Sequence, residues 1–198
     1  MPTPTRIPSV ATPTPVVVLP GKTYLSLTVL LHGIGASGDS QTPTSGGNPN
    51  PLHTERDASV EIFSLTGEKI GEKAPFLYYK KDTGNFQAVV ELDASLASGQ
   101  YQIKIKADRY LRKNVMLTLI SGSVNTLSPV TLIAGDINND NKVDLLDYNI
   151  LRGCISLLAP PKSCTAGNQV DSDMTDDGKV EVADRTLFIR ELTNVQGD

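Results

Sequence analysis

Between residues 15 and 132 the chain carries short apolar runs of period two, separated by glycine, asparagine and proline. "TYLSLTVLL" sets Leu25, Leu27, Val29 and Leu31 on one face, and "ASVEIFSL" sets Val60 and Ile62 on one side with Phe63 and Leu65 towards the other. In "GQYQIKIKAD", Tyr101, Ile103 and Ile105 face inward while Gln102, Lys104 and Lys106 face outward. Such alternation is what a half-buried antiparallel strand requires, because successive side chains leave opposite faces of the pleat. "FQAVVELD", "KNVMLTLI" and "SPVTLI" extend the series. Seven or so strands with turn signals between them predict a mainly β domain over 16–133, a β-sandwich of about 115 residues.

After residue 134 the period changes. "DYNILRGCI" and "DRTLFIREL" superpose Ile150 on Leu187, Leu151 on Phe188 and Ile155 on Leu192, and each spacing makes one apolar helical stripe. Charge shifts at the same place. From Ala134 onward there are 12 Asp/Glu against 6 Lys/Arg, where the first 133 residues hold 10 against 12. The whole chain, at −4 with a pI near 5.2, makes no general case for nucleic acid, which calls for a basic patch.

The acids of that last third are spaced, not merely abundant. "DINNDNKVDLLD" places Asp136, Asn138, Asp140, Asp144 and Asp147 at positions 1, 3, 5, 9 and 12 of a twelve-residue loop. Calcium takes six to eight oxygen ligands, and an EF-hand-type loop supplies them from 1, 3, 5, 7, 9 and 12. Lys142 at position 7 would offer its backbone carbonyl, Asn141 at position 6 suits a turn with positive φ, and Val143 at position 8 is apolar. The pattern returns 37 residues later in "DMTDDGKVEVAD", with Asp173, Thr175, Asp177, Glu181 and Asp184 at the ligand positions, Gly178 at 6, the carbonyl of Lys179 at 7 and Val180 at 8. A start at Asp171 would put Val182 at position 12, which cannot bind, so Gly178 and Asp184 set the register. Eight acids at ligand positions would repel one another in a small domain without a cation. Two Ca²⁺ ions are therefore expected, as structural ions.

Residues 134–198 resemble a dockerin, the duplicated loop-plus-helix calcium module of cellulosomal proteins. "GDINNDNKVDLLDYNIL" carries the likeness over its whole length and "DMTDDGKVEVADRTLF" more loosely. The resemblance implies a pseudo-twofold module that binds two calcium ions and a cohesin-type receptor. Three features depart from that pattern. Thr175 stands where Asp or Asn is usual, which implies a weaker second site. The repeats are spread apart by a segment holding Cys154, Cys164 and "APP". Positions 10 and 11, often small and polar in cohesin-binding modules, are Leu145, Leu146 and Val182, Ala183. Exposed, these would form an apolar partner site; buried, they would dock the module on its own sandwich. Both loops end in Asp, no strong helix precedes either, and "SPVTLIA" ahead of the first is strand-like and leaves no flexible linker.

Other motifs change the picture less. "SGQYQIKIKADRYLRK" resembles the strand-turn-strand of transthyretin-like and carboxypeptidase-regulatory-like sandwiches. Gly33-x-Gly35-x-x-Gly38 spells a dinucleotide fingerprint, but "QTPTSGGNPNP" follows it and cannot open the required helix; residues 33–51 are expected to be a long flexible loop. His32 and His53 flank that loop and are expected to be solvated, with no nucleophile motif to complete a catalytic group. No enzyme activity and no other cofactor are expected. Cys154 and Cys164 would pair in a secreted chain; otherwise they are a buried thiol and an exposed one. With no Trp and 5% aromatic residues, there is no obvious stacking platform for sugars.

No apolar run approaches the ~18 residues of a membrane helix. Residues 1–15, "MPTPTRIPSVATPTP", lack the basic start and apolar core of a signal peptide; their composition predicts a semi-rigid extended tether cut from something longer. Such tethers are common outside cells, so an extracellular or cell-surface setting is expected. Two functions remain open: a non-catalytic attachment module for a cohesin-type partner, or a calcium-stabilised stalk whose dockerin-like unit packs on its own sandwich with no partner in trans.

Overall fold

The computed structural model describes residues 18–42, 44–155, 164–192 and 197–198. The expected tether over 1–15 and the "APP" segment lie outside the described residues. Nine strands come first: β1 (Tyr24–Leu31), β2 (Glu55–Phe63), β3 (Lys69–Lys73), β4 (Phe76–Lys80), β5 (Asn85–Glu91), β6 (Gly99–Ala107), β7 (Lys113–Leu119), β8 (Val124–Thr126) and β9 (Val130–Leu132). Three helices follow: α1 (Leu145–Cys154), α2 (Ala166–Ser172) and α3 (Val182–Glu191). The chain is thus mostly β with three small helices late in its length.

The strands form one hydrogen-bonded path, β7-β6-β2-β4-β5-β1-β8, with β3 paired to β2 and β9 to β1. β2 carries the path across the fold. Its first three residues pair with β4 from Glu55↔Tyr78 to Asp57↔Phe76, and Ala58–Phe63 pair with β6. The inward faces are those the alternation predicts: Leu25, Leu27, Val29, Leu31, Val60, Ile62, Ile103 and Ile105 are all buried. The outward residues of β6 are half-buried instead of open. Lys104 lies over the Phe63 ring, 5.2 Å from its centroid, and Lys106 reaches the helical part of the chain.

That helical part shares the β domain's core. Ala134, Ile137, Val143, Leu151, Met174, Val180, Leu187 and Phe188 belong to the same buried cluster as the strand residues. Tyr148 and Phe188 stack across α1 and α3 with centroids 5.9 Å apart. β9 leads straight into the first acidic loop, and the turn after β6 is bonded to that junction: Leu111 N donates to Ile133 O at 2.8 Å and Gly135 N to Arg109 O at 3.1 Å. Cys154 and Cys164 form a disulfide between the end of α1 and the start of α2. Although no helix was expected ahead of the second loop, α2 directly precedes it, started by Thr165, whose side chain accepts from Asn168 N at 3.1 Å.

The segment from Gly33 to Pro51, expected to be flexible, is bonded to itself and to the rest of the chain. Ile34 bridges Asn48, Gly33 N donates to Gly38 O at 3.0 Å, Asn48 N to Gly33 O at 2.9 Å and Ala36 N to Gly84 O at 2.7 Å. Its glycines permit close approach, not nucleotide binding. A Cβ at Gly33 would lie 2.6 Å from Leu187 Cδ2 and 2.9 Å from Met174 O, at a backbone φ of +86°. Gly67 has the same φ and open space around it. Gly67→Ala is therefore expected to cost about 1 kcal/mol of strain, and Gly33→Ala about 3 kcal/mol once overpacking is added. Equal shifts in the urea midpoints of the two variants would show that the close packing of this loop on α3 does not matter.

Candidate metal centre

Each acidic loop closes through the same set of hydrogen bonds. Position 1 accepts from the N–H of position 6: Asn141 N to Asp136 Oδ2 at 3.0 Å, Gly178 N to Asp173 Oδ2 at 2.7 Å. Position 5 accepts from position 7, Lys142 N to Asp140 and Lys179 N to Asp177, both at 3.0 Å. Position 12 accepts from positions 3 and 9. Asp147 takes Asn138 N at 3.0 Å and Asp144 N at 2.9 Å, and Asp184 takes Thr175 N at 3.0 Å and Glu181 N at 2.9 Å. The turn residues have the positive φ that the pattern requires, 68° at Asn141 and 90° at Gly178. Two unrelated acidic stretches would have no reason to share this wiring.

The loops also start the helices. Asp144 and Glu181 are the N-caps of α1 and α3, and Asp147 and Asp184 are the third residues, which bond back to the cap N–H. This capping box holds positions 9 and 12 rigidly at a helix N-terminus, whose dipole favours negative charge. Asp136, Asp147 and Asp184 are nonetheless fully buried. Burial pushes the Asp147 carboxyl above the usual range, against its two backbone donors and with help from the charges of Asp136 and Asp140. Asp173 and Asp184 are raised for the same first reason, burial, with neighbouring acids adding to it.

Among the described residues no three Asp, Glu, His or Cys side chains converge in metal-binding geometry. The donor chemistry nevertheless fits a hard cation. Asp136 Oδ1 is buried without a partner, and the remaining donors at the loop positions are oxygens of Asn138, Thr175, further carboxylates and the carbonyls at 142 and 179.

Positions 10 and 11 of each loop are the first two residues of the helix that follows, and they point to solvent. Leu145 is 68% exposed, Leu146 60% and Val182 57%, and Ala183 is exposed too. The module is packed on the β domain all the same, through other residues. Asp176, at position 4 of the second loop, is buried between Arg56 Nη2 at 2.9 Å and His53 Nδ1 at 2.5 Å. Glu191, at the end of α3, is buried beside His32 Nδ1 at 3.2 Å and accepts from Ser40 N at 2.7 Å. Asn48 Nδ2 donates to the carbonyls of Thr175 and Asp176, and Arg190 pairs with Asp39 at 2.6 Å. Of the two histidines expected to be solvated loop residues, His32 is buried, while His53 is exposed in its loop and also lies against Asp176. A cavity of about 510 Å³ lies where the 33–48 loop meets the second repeat, lined among others by Asp39, Thr42, Asp177, Val182 and Thr186.

None of Asp176, Glu191, Arg56, Lys106 or Asp39 was picked out from the sequence as a site residue. Asp176 and Glu191 did leave a trace there. One acid of "DD" is surplus to the loop pattern, and Glu191 falls on the apolar side of α3 with Leu187 and Phe188.

A mostly β domain thus carries a duplicated loop-helix module on its C-terminal side. Residues 134–193 match the dockerin type I domain family. A chain in the crystal structure of a type II cohesin–X-dockerin complex from Acetivibrio cellulolyticus, an N-terminal interface mutant, is similar to this one with a TM-score of 0.52 and 18% identity, over 88% of this chain and 97% of that one. At that identity the likeness is one of fold, and it spans the β domain as well as the module. No curated protein matches the chain.

The Asp39–Arg190 pair gives a pH test of the docking. Burial raises the Asp39 carboxyl, but Arg190, the Thr42 hydroxyl and two backbone N–H donors outweigh it and hold it down to about 2. Because the folded value is depressed, this stabilisation is present above the unfolded value of about 3.9 and lost as pH falls towards 2. Since Arg190 is partly solvated, Arg190→Gln is expected to cost about 1 kcal/mol at neutral pH. The gap between variant and wild type should close by about pH 2 in urea titrations; a gap that does not vary with pH would assign the loss to packing.

Proposed function

We propose that this chain is a non-catalytic attachment protein of the extracellular space or cell surface. In this reading residues 134–198 are a two-calcium dockerin-like domain, and the β domain over 16–133, folded as an Ig-like or transthyretin-like sandwich, presents it to a cohesin-type partner. The observation that carries the proposal is the paired exposure of Leu145, Leu146 and Val182, Ala183 at equivalent places in the two repeats. An exposed apolar pair at the start of each helix, the second at the edge of the cavity beside the 33–48 loop, supports a partner site.

Calcium would be held at the first loop by Asp136, Asn138, Asp140, the Lys142 carbonyl, Asp144 and Asp147. At the second, the ligands are Asp173, Thr175, Asp177, the Lys179 carbonyl, Glu181 and Asp184. The ions supply the charge that these carboxylates lack. Binding that is selective for the folded state stabilises it, by about 2.7 kcal/mol per site at a hundredfold excess over Kd.

A second reading is favoured by the interdomain contacts. The buried Arg56–Asp176 ion pair and the buried His32–Glu191 contact, with a shared hydrophobic core, suit a rigid stalk with no partner in trans. The two readings part on binding. Full-length protein is expected to bind one or more of a panel of type I and type II cohesins in calcium and not in chelator. The variant carrying both Leu145→Asp and Leu146→Asp should lose at least tenfold in affinity, with its calcium-dependent thermal midpoint unchanged. Calcium stabilisation with no binding to any cohesin would leave the stalk; no calcium effect on the thermal midpoint would remove both readings.

A further inference from the structure

We propose that Lys106 of the β domain is a resident counter-cation for the first calcium loop, so that this loop alone is held folded before metal arrives and gives up calcium affinity in return. The proposal rests on the calcium reading above. Asp136 occupies position 1 of the loop and is fully buried. Its Oδ2 accepts from the Lys106 ammonium and from Asn141 N, while its Oδ1 is buried without a partner. The lysine is itself mostly buried, 16% exposed, and anchored by a second bond to Tyr110 O at 2.9 Å. It therefore fixes the carboxylate by one oxygen and leaves the other for the loop interior.

The second loop has no such cation on its first ligand. Asp173 takes its bonds from Gly178 N, Asp177 N and the Thr175 hydroxyl, all in its own loop. Among the described residues no ion pair joins Asp173 to a lysine or arginine. On that side Arg56 pairs with Asp176 at position 4, which is not a ligand, and the His53 ring lies against the same carboxylate. The first ligands of the two loops thus differ in both respects: Asp173 is satisfied from within its loop by three donors, whereas Asp136 has one internal donor, Asn141 N, and the β-domain lysine.

A positive charge one carboxylate away repels Ca²⁺. Even with generous solvent screening, removing it is worth on the order of tenfold in affinity. The same charge offsets a buried carboxylate when calcium is absent. Lys106 thus acts in opposite directions on apo stability and on calcium binding, which a merely structural contact would not do.

The test uses the full chain titrated with calcium and followed by NMR, with the Asn141 and Gly178 amides reporting the two loops separately. Lys106→Gln keeps a hydrogen-bond donor without the charge, and Lys104→Gln makes the same charge change on the same strand, away from the loop. For K106Q the first loop is expected to bind about tenfold tighter with the second unchanged, and the thermal midpoint in chelator to fall; K104Q should alter neither loop. A K106Q chain that is unfolded in chelator but restored by calcium supports the proposal equally, since the ion then replaces the lysine. Unchanged or weaker calcium at the first loop, an equal gain at both loops, or a K106Q chain unfolded even in calcium would overturn it. A wild-type chain that binds no calcium would remove the calcium reading as well, whereas a wild type that binds beside a flat K106Q removes this proposal alone.

Discussion

Negative charge buried in the C-terminal third is the constraint that the rest of this structure answers. Position 1 and position 12 carboxylates lie under the surface in both loops, where an unpaired ion would cost several kcal/mol. Three kinds of positive end meet them. Backbone N–H groups of the loop close on each carboxylate, helix N-termini sit over positions 9 and 12, and side-chain cations arrive from the β domain. The first two are written into every repeat by its own spacing. They do not suffice, because burial still pushes Asp147, Asp173 and Asp184 upward, and that residue of unmet charge is what a divalent ion would satisfy.

The third kind explains why the β domain and the module share a core. Lys106 and Arg56 reach acids beyond residue 134, and the rings of His53 and His32 lie against Asp176 and Glu191. The loop over 33–48 bridges to the second repeat largely with backbone, beside the cavity the two enclose. Gly33 lies against Leu187 and Met174 at distances no Cβ would allow, and Ser40 N and Asn48 supply donors to Glu191 and the second loop. The contact is therefore polar at its centre and specific in register. The exposed apolar pairs on α1 and α3 are not needed for it, and the packing that would have consumed them is done by other residues.

Much of this was legible in the sequence, for identifiable reasons. Period-two alternation located β1, β2, β5, β6 and β7, because each buries one face. It missed β3 and β4, "KIGEK" and "FLYYK", which are mostly exposed or half-buried and carry no alternation to detect. The loop positions and the turns at Asn141 and Gly178 were readable because their geometry is local. Lys106 was not, since a cation pointing out of a strand looks like any solvated residue until the partner is brought to it in three dimensions; Arg56 lies instead on the inward register of β2 with Ala58, Val60 and Ile62, where a charge has meaning only once Asp176 is beside it. The loop from Gly33 misled for the same reason: glycine, proline and serine mean flexibility only when nothing is packed against them.

A duplicated sequence need not give two equivalent sites. Four internal bonds recur in each loop and agree to within 0.3 Å, and the loops differ in the bonds around positions 3 and 5 and in their surroundings. In the calcium reading, Thr175 in place of an acid or amide would weaken the second loop through its coordination shell, and Lys106 would weaken the first through the field. What stays matched is the solvent exposure of the two apolar pairs. The β domain breaks the symmetry where charge is buried and leaves it intact where a partner would touch.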